Sequence, residues 1–294
     1  MVKNYHKMYY DKVIPEWAVN CFVIGDDIRR KMLVLDNLYT FGFEPKIVTP
    51  NFFQQWPENF SKKRSLALTR RSLSLGEIGC AKSHIDCYEK FLSNKYLLTL
   101  IFEDDAHLAQ INFNEFIYAL QKIEVMEVNS ENIGRVYTFF TESAIVKKET
   151  TSEPTFFRVL GEPSHGVCYV VNRKGAKALI SANKNLDFQA DWPKSANIEF
   201  FLYSNKLITH GTTNEIPVSF LDSQRKSLTQ SKIETFYLAI KSIFFVTYIF
   251  NKQYYKSKRE YFSINVLPII KWRLRKSFSK RLRNWPQGVR IVLW

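Results

Sequence analysis

Cysteine is scarce in this chain: Cys21, Cys80, Cys87 and Cys168 are the four among 294 residues. They form no Cys-x-x-Cys pair and show no neighbouring histidine at zinc spacing. That argues against a disulfide scaffold and against a structural zinc, and it suits reduced thiols in a cytosolic protein. Long apolar runs are also missing: none reaches the roughly 18 uncharged residues that a membrane-spanning helix needs. The opening Met-Val-Lys-Asn-Tyr-His-Lys lacks the apolar core of a signal peptide. Internal repeats and low-complexity segments are absent. Acidic residues are nearly missing from one region. Residues 225–294 hold 16 Lys+Arg and only 2 acids, Glu234 and Glu260, whereas residues 1–224 hold 26 of each kind. The entire formal charge of +14 therefore lies in the C-terminal stretch.

What is present divides accordingly. A hydrophobic fraction of 46% with 24% charged residues is that of an ordinary folded chain, long enough to bury a sizeable core. The neutral residues 1–224 read as one catalytic or binding domain, and residues 225–294 as an extension suited to an anionic surface.

In chain order, residues 17–24 read as a first buried strand. Gly25-Asp26-Asp27 makes a turn with Asp27 as N-cap. A helix follows over 28–41 with Met32, Leu35 and Leu38 on one face, and then a strand over 44–48. Together these form one βαβ unit of a parallel sheet. A ligand at the end of that first strand would meet Gly25, Asp26 and Arg29; the plain alternative is a solvated turn. Residues 51–74 form a long polar loop with a basic cluster. A helix is predicted over 75–92 with Ile78, Ala81, Ile85, Tyr88 and Phe91 buried. Gly76 and Gly79 permit close approach at its N-terminus, where free amides favour anions. Ser83 and His84 follow. A further helix is expected over 113–126. Strands are expected over 135–140, 156–160, 165–171, 207–210 and 215–218, with an irregular stretch at 141–155. Asn172 caps one more helix. Asp191 precedes a Trp192-Pro193 that reads as a helix start.

The most telling stretch is residues 97–108, Leu-Leu-Thr-Leu-Ile-Phe-Glu-Asp-Asp-Ala-His-Leu. A short apolar run reads as a buried strand, and it ends in three adjacent carboxylates. Such acids repel one another and are costly to bury unpaired. In an open α/β sheet, ligands bind at the carboxyl ends of strands. Glu103, Asp104 and Asp105 are thus candidates to hold a hard divalent cation and, through it, a phosphate-bearing substrate. A solvated acidic turn is the alternative.

Three blocks together resemble glycosyltransferase family 25, the lipooligosaccharide-type galactosyltransferases of Gram-negative bacteria. They are Leu73-Ser74-Leu75-Gly76-Glu77-Ile78-Gly79-Cys80-Ala81-Lys82-Ser83-His84, then Leu100-Ile101-Phe102-Glu103-Asp104-Asp105, then Gly166-Val167-Cys168-Tyr169-Val170-Val171-Asn172-Arg173-Lys174-Gly175-Ala176-Lys177-Ala178-Leu179. Order and rough spacing agree over about residues 17–225. The resemblance implies an α/β fold of the GT-A-like, Rossmann-like kind: a mixed sheet flanked by helices, here with a helical basic C-terminal extension. It also implies a UDP-sugar donor (usually UDP-galactose), a Mn²⁺ or Mg²⁺ ion, and inversion at the sugar carbon. On this resemblance Asp105 takes the metal, Glu103 the ribose or a metal-bound water, and Asp104 a supporting role. Gly25, Asp26, Arg29, Gly76, Glu77, Gly79, Ser83 and His84 join Glu103 and Asp104 around the donor. One departure is visible: the family's Asn-Leu pair after the first strand is replaced by Ile24-Gly25.

Transfer with inversion needs a stabilised diphosphate leaving group and a base for the acceptor hydroxyl. Asp191 is the candidate base or acceptor ligand, with Glu199 and Asp187 as alternatives. His165 and Gly166 are candidates for acceptor contacts. An N-cap role is the other reading of Asp191. In the extension, Lys and Arg are interleaved with Trp272, Trp285 and Trp294, a pattern that suits an anionic lipid surface. The expected acceptor is a glycan or glycolipid, and the expected location is the cytoplasm, peripheral on the inner face of the cytoplasmic membrane. Two competing readings remain at this stage. One is a nucleic-acid-binding protein using the basic tail, which leaves the acidic triplet idle; the first reading expects no specific nucleic acid. The other is a metal-dependent phosphohydrolase built on the same acids.

Overall fold

The computed structural model describes residues 13–210, apart from 63, 66–72, 108–112, 129–132, 141–146, 151–154, 161–162, 164–165, 191, 194–195 and 206. The basic extension, the strand expected at 215–218, and the candidates Asp191 and His165 lie outside the described residues.

The chain runs α1 (Glu16–Val19), β1 (Phe22–Ile24), α2 (Ile28–Thr40), β2 (Lys46–Val48), α3 (Leu75–Leu92), β3 (Leu98–Glu103), β4 (Ala106–His107), α4 (Phe113–Val128) and β5 (Gly134–Thr138). It continues through β6 (Lys147–Thr150), β7 (Phe156–Leu160), β8 (Cys168–Asn172), α5 (Arg173–Asn183), β9 (Ile198–Tyr203) and β10 (Thr209–His210). Eight strands form one sheet in the order β2-β1-β3-β8-β5-β9-β7-β6, and β4 pairs with β10 apart from it. The pairs β1–β2, β1–β3 and β5–β9 are parallel, whereas β8 is antiparallel to both β3 and β5. The sheet is therefore mixed, as expected of the α/β class.

Side-chain alternation sorts the helices onto two faces. Val23, Leu100, Phe102, Cys168, Val170 and Phe201 point into one core with Leu35 and Leu38 of α2 and Phe116 and Leu120 of α4. Ile24, Ile101, Tyr169, Val171 and Phe200 point the other way, against Tyr88 and Phe91 of α3 and Leu179 of α5. A strand covered on both faces must be apolar at consecutive positions, which is why β3 reads as an unbroken run rather than an alternating one. Each fully buried Leu, Ile or Phe on it contributes about 1.5–3 kcal/mol.

Local signals set the helix starts. Asp27 accepts from the backbone amides of Arg29 and Arg30 at the head of α2. Ser74 and Glu77 form a reciprocal capping box at α3, and Asn172 accepts from Gly175 at 2.7 Å to start α5.

Several expectations fail locally. The first strand shrinks to Phe22–Ile24, because a helical turn that begins after Pro15 buries Trp17 and Ala18 instead. Met32 is 49% exposed, and Val34 takes its place in the buried stripe of α2. The stretch expected to be irregular contains β6, a strand whose Lys-Lys-Glu-Thr sequence has no apolar alternation to signal it. Trp192 and Pro193 start no helix. The strand after them, β9, carries the same unbroken apolar signature as β3 and is absent from the sequence reading.

Candidate active site

The chain leaves β1 for the outer strand β2 through α2 on one face, then reaches β3 on the other side of β1 through α3 on the opposite face. Such a reversal opens a crevice at the carboxyl ends of the two central strands. Ile24 stands opposite Glu103 in the parallel register, so Gly25 and the acidic triplet flank this crevice.

Glu103 closes β3, and Asp104 and Asp105 turn the chain into β4. Glu103 keeps part of its carboxylate in solvent, whereas Asp104 and Asp105 are 7% and 9% exposed. Arg30, one turn into α2, answers them. Its Nη2 lies 3.0 Å from one oxygen of Asp104 and donates to the other at 3.2 Å, while Nη1 is 3.9 Å from Asp105. Burial pushes the Asp104 carboxyl up to about 7. Arg30 pulls it down, and the neighbouring Asp105 and Glu103 charges push it further up. Gly25 is required here: a Cβ on it would sit 2.2 Å from the Cβ of Asp104. No side chain fits between the end of β1 and the triplet.

His84 approaches from α3. Its Nε2 is 3.1 Å from Oε1 of Glu103, and its Nδ1 is 2.7 Å from the Tyr169 hydroxyl, which lies 2.7 Å from that of Tyr88. Tyr169 also stacks on the imidazole and receives the edge of Trp192. The histidine is thus buried and held at both nitrogens, and it orients Glu103. Gly166 belongs to the same group, since a Cβ there would lie 3.6 Å from Glu103 Oε1. Among the described residues, one set of three His, Cys, Asp or Glu residues has ligand atoms all within 4.8 Å of one another: Cys80, His84 and Glu103.

The structure therefore brings together Gly25, His84, Glu103, Asp104, Asp105 and Gly166. Other candidates are placed elsewhere or are occupied. Asp26 and Arg29 are exposed on the turn, and Arg30 holds the position expected of Arg29. Glu77 caps α3 by accepting from the Ser74 amide at 2.9 Å, and Ser74 accepts from the Glu77 amide at 3.1 Å. The amides that would favour an anion beside Gly76 are partly spent on that cap. Gly79 accommodates the protein's own backbone, since a Cβ there would meet the Asn51 carbonyl oxygen at 1.9 Å. Ser83 donates to the Gly79 carbonyl at 2.8 Å and accepts from the Asn51 amide at 2.9 Å. Both residues fasten the loop to α3 rather than facing a donor.

Glu199 is the clearest correction. It sits opposite Arg135 near the start of β9, level with the beginning of β3. That is about five residues along the sheet and three strands across from Glu103, on the order of 20 Å away. Its carboxylate is engaged with Arg135 at 3.3 Å and Arg158 at 2.8 Å. Asp187 is also committed, to Arg64 at 2.9 Å and the Ser61 amide at 3.2 Å.

Arg30, Tyr169 and Tyr88 are the residues that sequence reasoning missed. For Arg30 a signal existed: it precedes Val34 and Leu38 by four and eight positions, on the buried stripe of α2. The tyrosines looked like ordinary core residues. Glu103 and Asp105 offer hard carboxylate oxygens, with Asp104 committed to Arg30. That donor chemistry suits Mn²⁺ or Mg²⁺.

Comparison with known proteins supplies the family. A "Putative glycosyltransferase" of Haemophilus influenzae is 34% identical over 152 residues, covering 49% of this chain and 49% of that protein. The chain thus spans about half the length of the curated relative it matches. A solved glycosyltransferase involved in glycosylation of the major capsid of PBCV-1 aligns over 55% of this chain and 65% of its own, at 14% identity and a TM-score of 0.27. At that score the likeness carries no weight. The model of Glycosyltransferase family 25 (LPS biosynthesis protein) matches residues 42–192, a span that holds α3 with its capping box, the acidic triplet, and β8 with the start of α5. The chain belongs to glycosyltransferase family 25.

Proposed function

We propose that this protein is an inverting glycosyltransferase that moves a hexose from a UDP-sugar, UDP-galactose first, onto a hydroxyl of a glycan or glycolipid in lipooligosaccharide or related surface-polysaccharide synthesis. The observation that carries the reading is the Glu103-Asp104-Asp105 turn at the crevice between β1 and β3, in a family-25 chain. Asp105 and Glu103 would hold Mn²⁺ or Mg²⁺. Bound there, the ion would offset the charge that develops on the departing diphosphate.

The protein's own groups have distinct tasks. Arg30 neutralises Asp104 and fixes the turn that presents its two neighbours. His84, held by Tyr169, sets the direction of the Glu103 carboxylate towards a ribose hydroxyl. Gly25 lets the end of β1 pack directly against the Asp104 side chain, which keeps the turn close to the strand. A carboxylate on the acceptor side takes the hydroxyl proton. Asp191 is the candidate for that role, and its chain neighbour Trp192 packs on Tyr169. The basic segment 225–294 would hold the enzyme peripherally on the inner, anionic face of the membrane. Among the described residues no helix is long and apolar enough to cross a membrane.

The test is UDP release from a panel of UDP-sugars, with and without Mn²⁺ and acceptor. Asp105→Ala is expected to abolish metal-dependent release while leaving the fold intact. Turnover near the wild-type rate in that variant would overturn the metal assignment. Full-rate hydrolysis without acceptor would favour a phosphohydrolase instead.

A further inference from the structure

We infer that Cys80, His84 and Glu103 form a second metal site beside the acidic triplet, one that selects a thiophilic divalent ion of the Zn²⁺ class. Its occupancy withdraws Glu103 from the nucleotide-sugar donor. The second statement rests on the donor role proposed above for Glu103; the first does not.

The helix supplies the first argument. Cys80 and His84 are four residues apart on α3, a pair that the sequence reading passed over when it found no histidine at zinc spacing, and the helix places them one above the other on a single face. That face looks onto the end of β3, and the ligand atoms of Cys80, His84 and Glu103 all lie within 4.8 Å of one another. In a tetrahedral zinc centre the metal–ligand bonds of about 2.0–2.3 Å put ligand atoms about 3.3–3.6 Å apart. His84 Nε2 and Glu103 Oε1 stand at 3.1 Å, so little movement is needed to admit an ion between them. Three protein ligands leave a fourth position for water, the open form of a zinc site.

The surroundings supply the second argument. The imidazole nitrogen away from the metal usually carries a fixed hydrogen-bond partner. Here that partner is the Tyr169 hydroxyl, 2.7 Å from Nδ1, backed by Tyr88 at 2.7 Å. Without metal, Nε2–H donates to Glu103 and Nδ1 accepts from Tyr169. With metal on Nε2, Nδ1–H donates to the Tyr169 oxygen, which serves both states because a hydroxyl oxygen can donate or accept. Coordination also expels the thiol proton of Cys80, so metal uptake releases acid.

Ligand softness separates this site from the triplet. A thiolate and an imidazole favour Zn²⁺, whereas carboxylates alone suit Mn²⁺ or Mg²⁺. Glu103 is common to both and would serve one at a time. Cys80 is also the accessible thiol among the four. Cys21, Cys87 and Cys168 are buried, and burial pushes the Cys21 thiol up to about 12 and raises the other two well above the ordinary thiol value.

Cobalt(II) titration of the full chain tests the site without any sugar donor. The expected result is a thiolate-to-cobalt charge-transfer band that Zn²⁺ removes. Zn²⁺ should also slow native-state thiol modification about tenfold or more, since a bound thiolate is shielded. Cys80→Ser should lose the band yet melt as the wild type does. Absence of the band, or its survival in Cys80→Ser, would overturn the site. Donor affinity is then measured with UDP-galactose in Mn²⁺, with and without Zn²⁺. Weakening by Zn²⁺ in the wild type but not in Cys80→Ser supports the shared use of Glu103, and undiminished affinity with zinc bound overturns it. Failure of UDP-galactose to bind even without zinc would count against the donor reading alone.

Discussion

Replacing Gly79 with alanine pits two physical effects of opposite sign against each other. Gly79 lies inside α3, and helix propensity alone makes Gly→Ala stabilising by about 1 kcal/mol. The structure predicts the reverse. A Cβ at Gly79 would stand 1.9 Å from the Asn51 carbonyl oxygen and 3.1 Å from its carbon, both backbone atoms that cannot rotate away. A comfortable contact is about 3.5 Å, so residue 51 must withdraw by about 1.5 Å. That displacement breaks the bond from the Asn51 amide to Ser83 Oγ at 2.9 Å and the bond from Nδ2 to the Asp86 carboxylate at 2.7 Å. The first is worth about 1 kcal/mol, and the second, to a charged acceptor, about 1.5–3 kcal/mol. After the propensity gain is subtracted, the expected net loss is about 1.5–3 kcal/mol. Urea unfolding at neutral pH reads this directly, and the melting temperature should fall by roughly 3–12 °C for a domain of this size. Asn51→Ala removes the side-chain bond but keeps the carbonyl, so the double variant should be less destabilised than the sum of the two. A Gly79→Ala protein as stable as wild type, or more stable, would refute the close approach of the loop to α3.

Other perturbations separate the site from its surroundings. Glu199→Gln should leave sugar transfer unchanged and cost about 1 kcal/mol of stability, since it weakens pairs with the mostly buried Arg135 and the half-exposed Arg158; a large fall in kcat would return Glu199 to the catalytic group. Arg30→Gln should cost about 2–4 kcal/mol, because Asp104 stays buried without its guanidinium, whereas Arg29→Gln on the exposed side should stay within about 0.5 kcal/mol. Asp27→Ala should lose about 1 kcal/mol through the α2 cap, and Asp27→Asn should retain it. The Arg30 and Arg29 backbone amides and nearby guanidinium charges hold the Asp27 carboxyl below its ordinary 3.8. Its contribution is therefore full above that value and is lost as the pH falls through the lower folded-state value. Acid titration of stability should show that loss in wild type and not in Asp27→Asn.

Much of this site could be read in one dimension, because its parts are local. The apolar run of β3 ending in three acids, the Ser74–Glu77 capping box ahead of α3, and the Asp27 and Asn172 caps each depend on residues within a few positions. These features follow from strand and helix geometry, and the sequence by itself determined them, together with the family blocks that carry the resemblance.

Tertiary structure decided which of the plausible polar residues meet. Arg29 and Arg30 are adjacent in sequence, yet only the helical phase set by Asp27 turns Arg30 onto Asp104. Glu199 and Glu103 both belong to strands of one sheet. The order β3-β8-β5-β9 and its register put them at opposite ends, and no local pattern encodes strand order. Gly79 and Ser83 look like donor-binding residues until the loop at Asn51, nearly 30 positions earlier, closes over them. His84 gains its orientation from Tyr169, which is 85 residues away. Contacts between distant segments arise because burying apolar faces brings the layers together, and the polar groups carried with them must pair where they land. That pairing reduced a long list of candidates to Gly25, His84, Glu103, Asp104, Asp105 and Gly166 at one crevice, and it added Arg30.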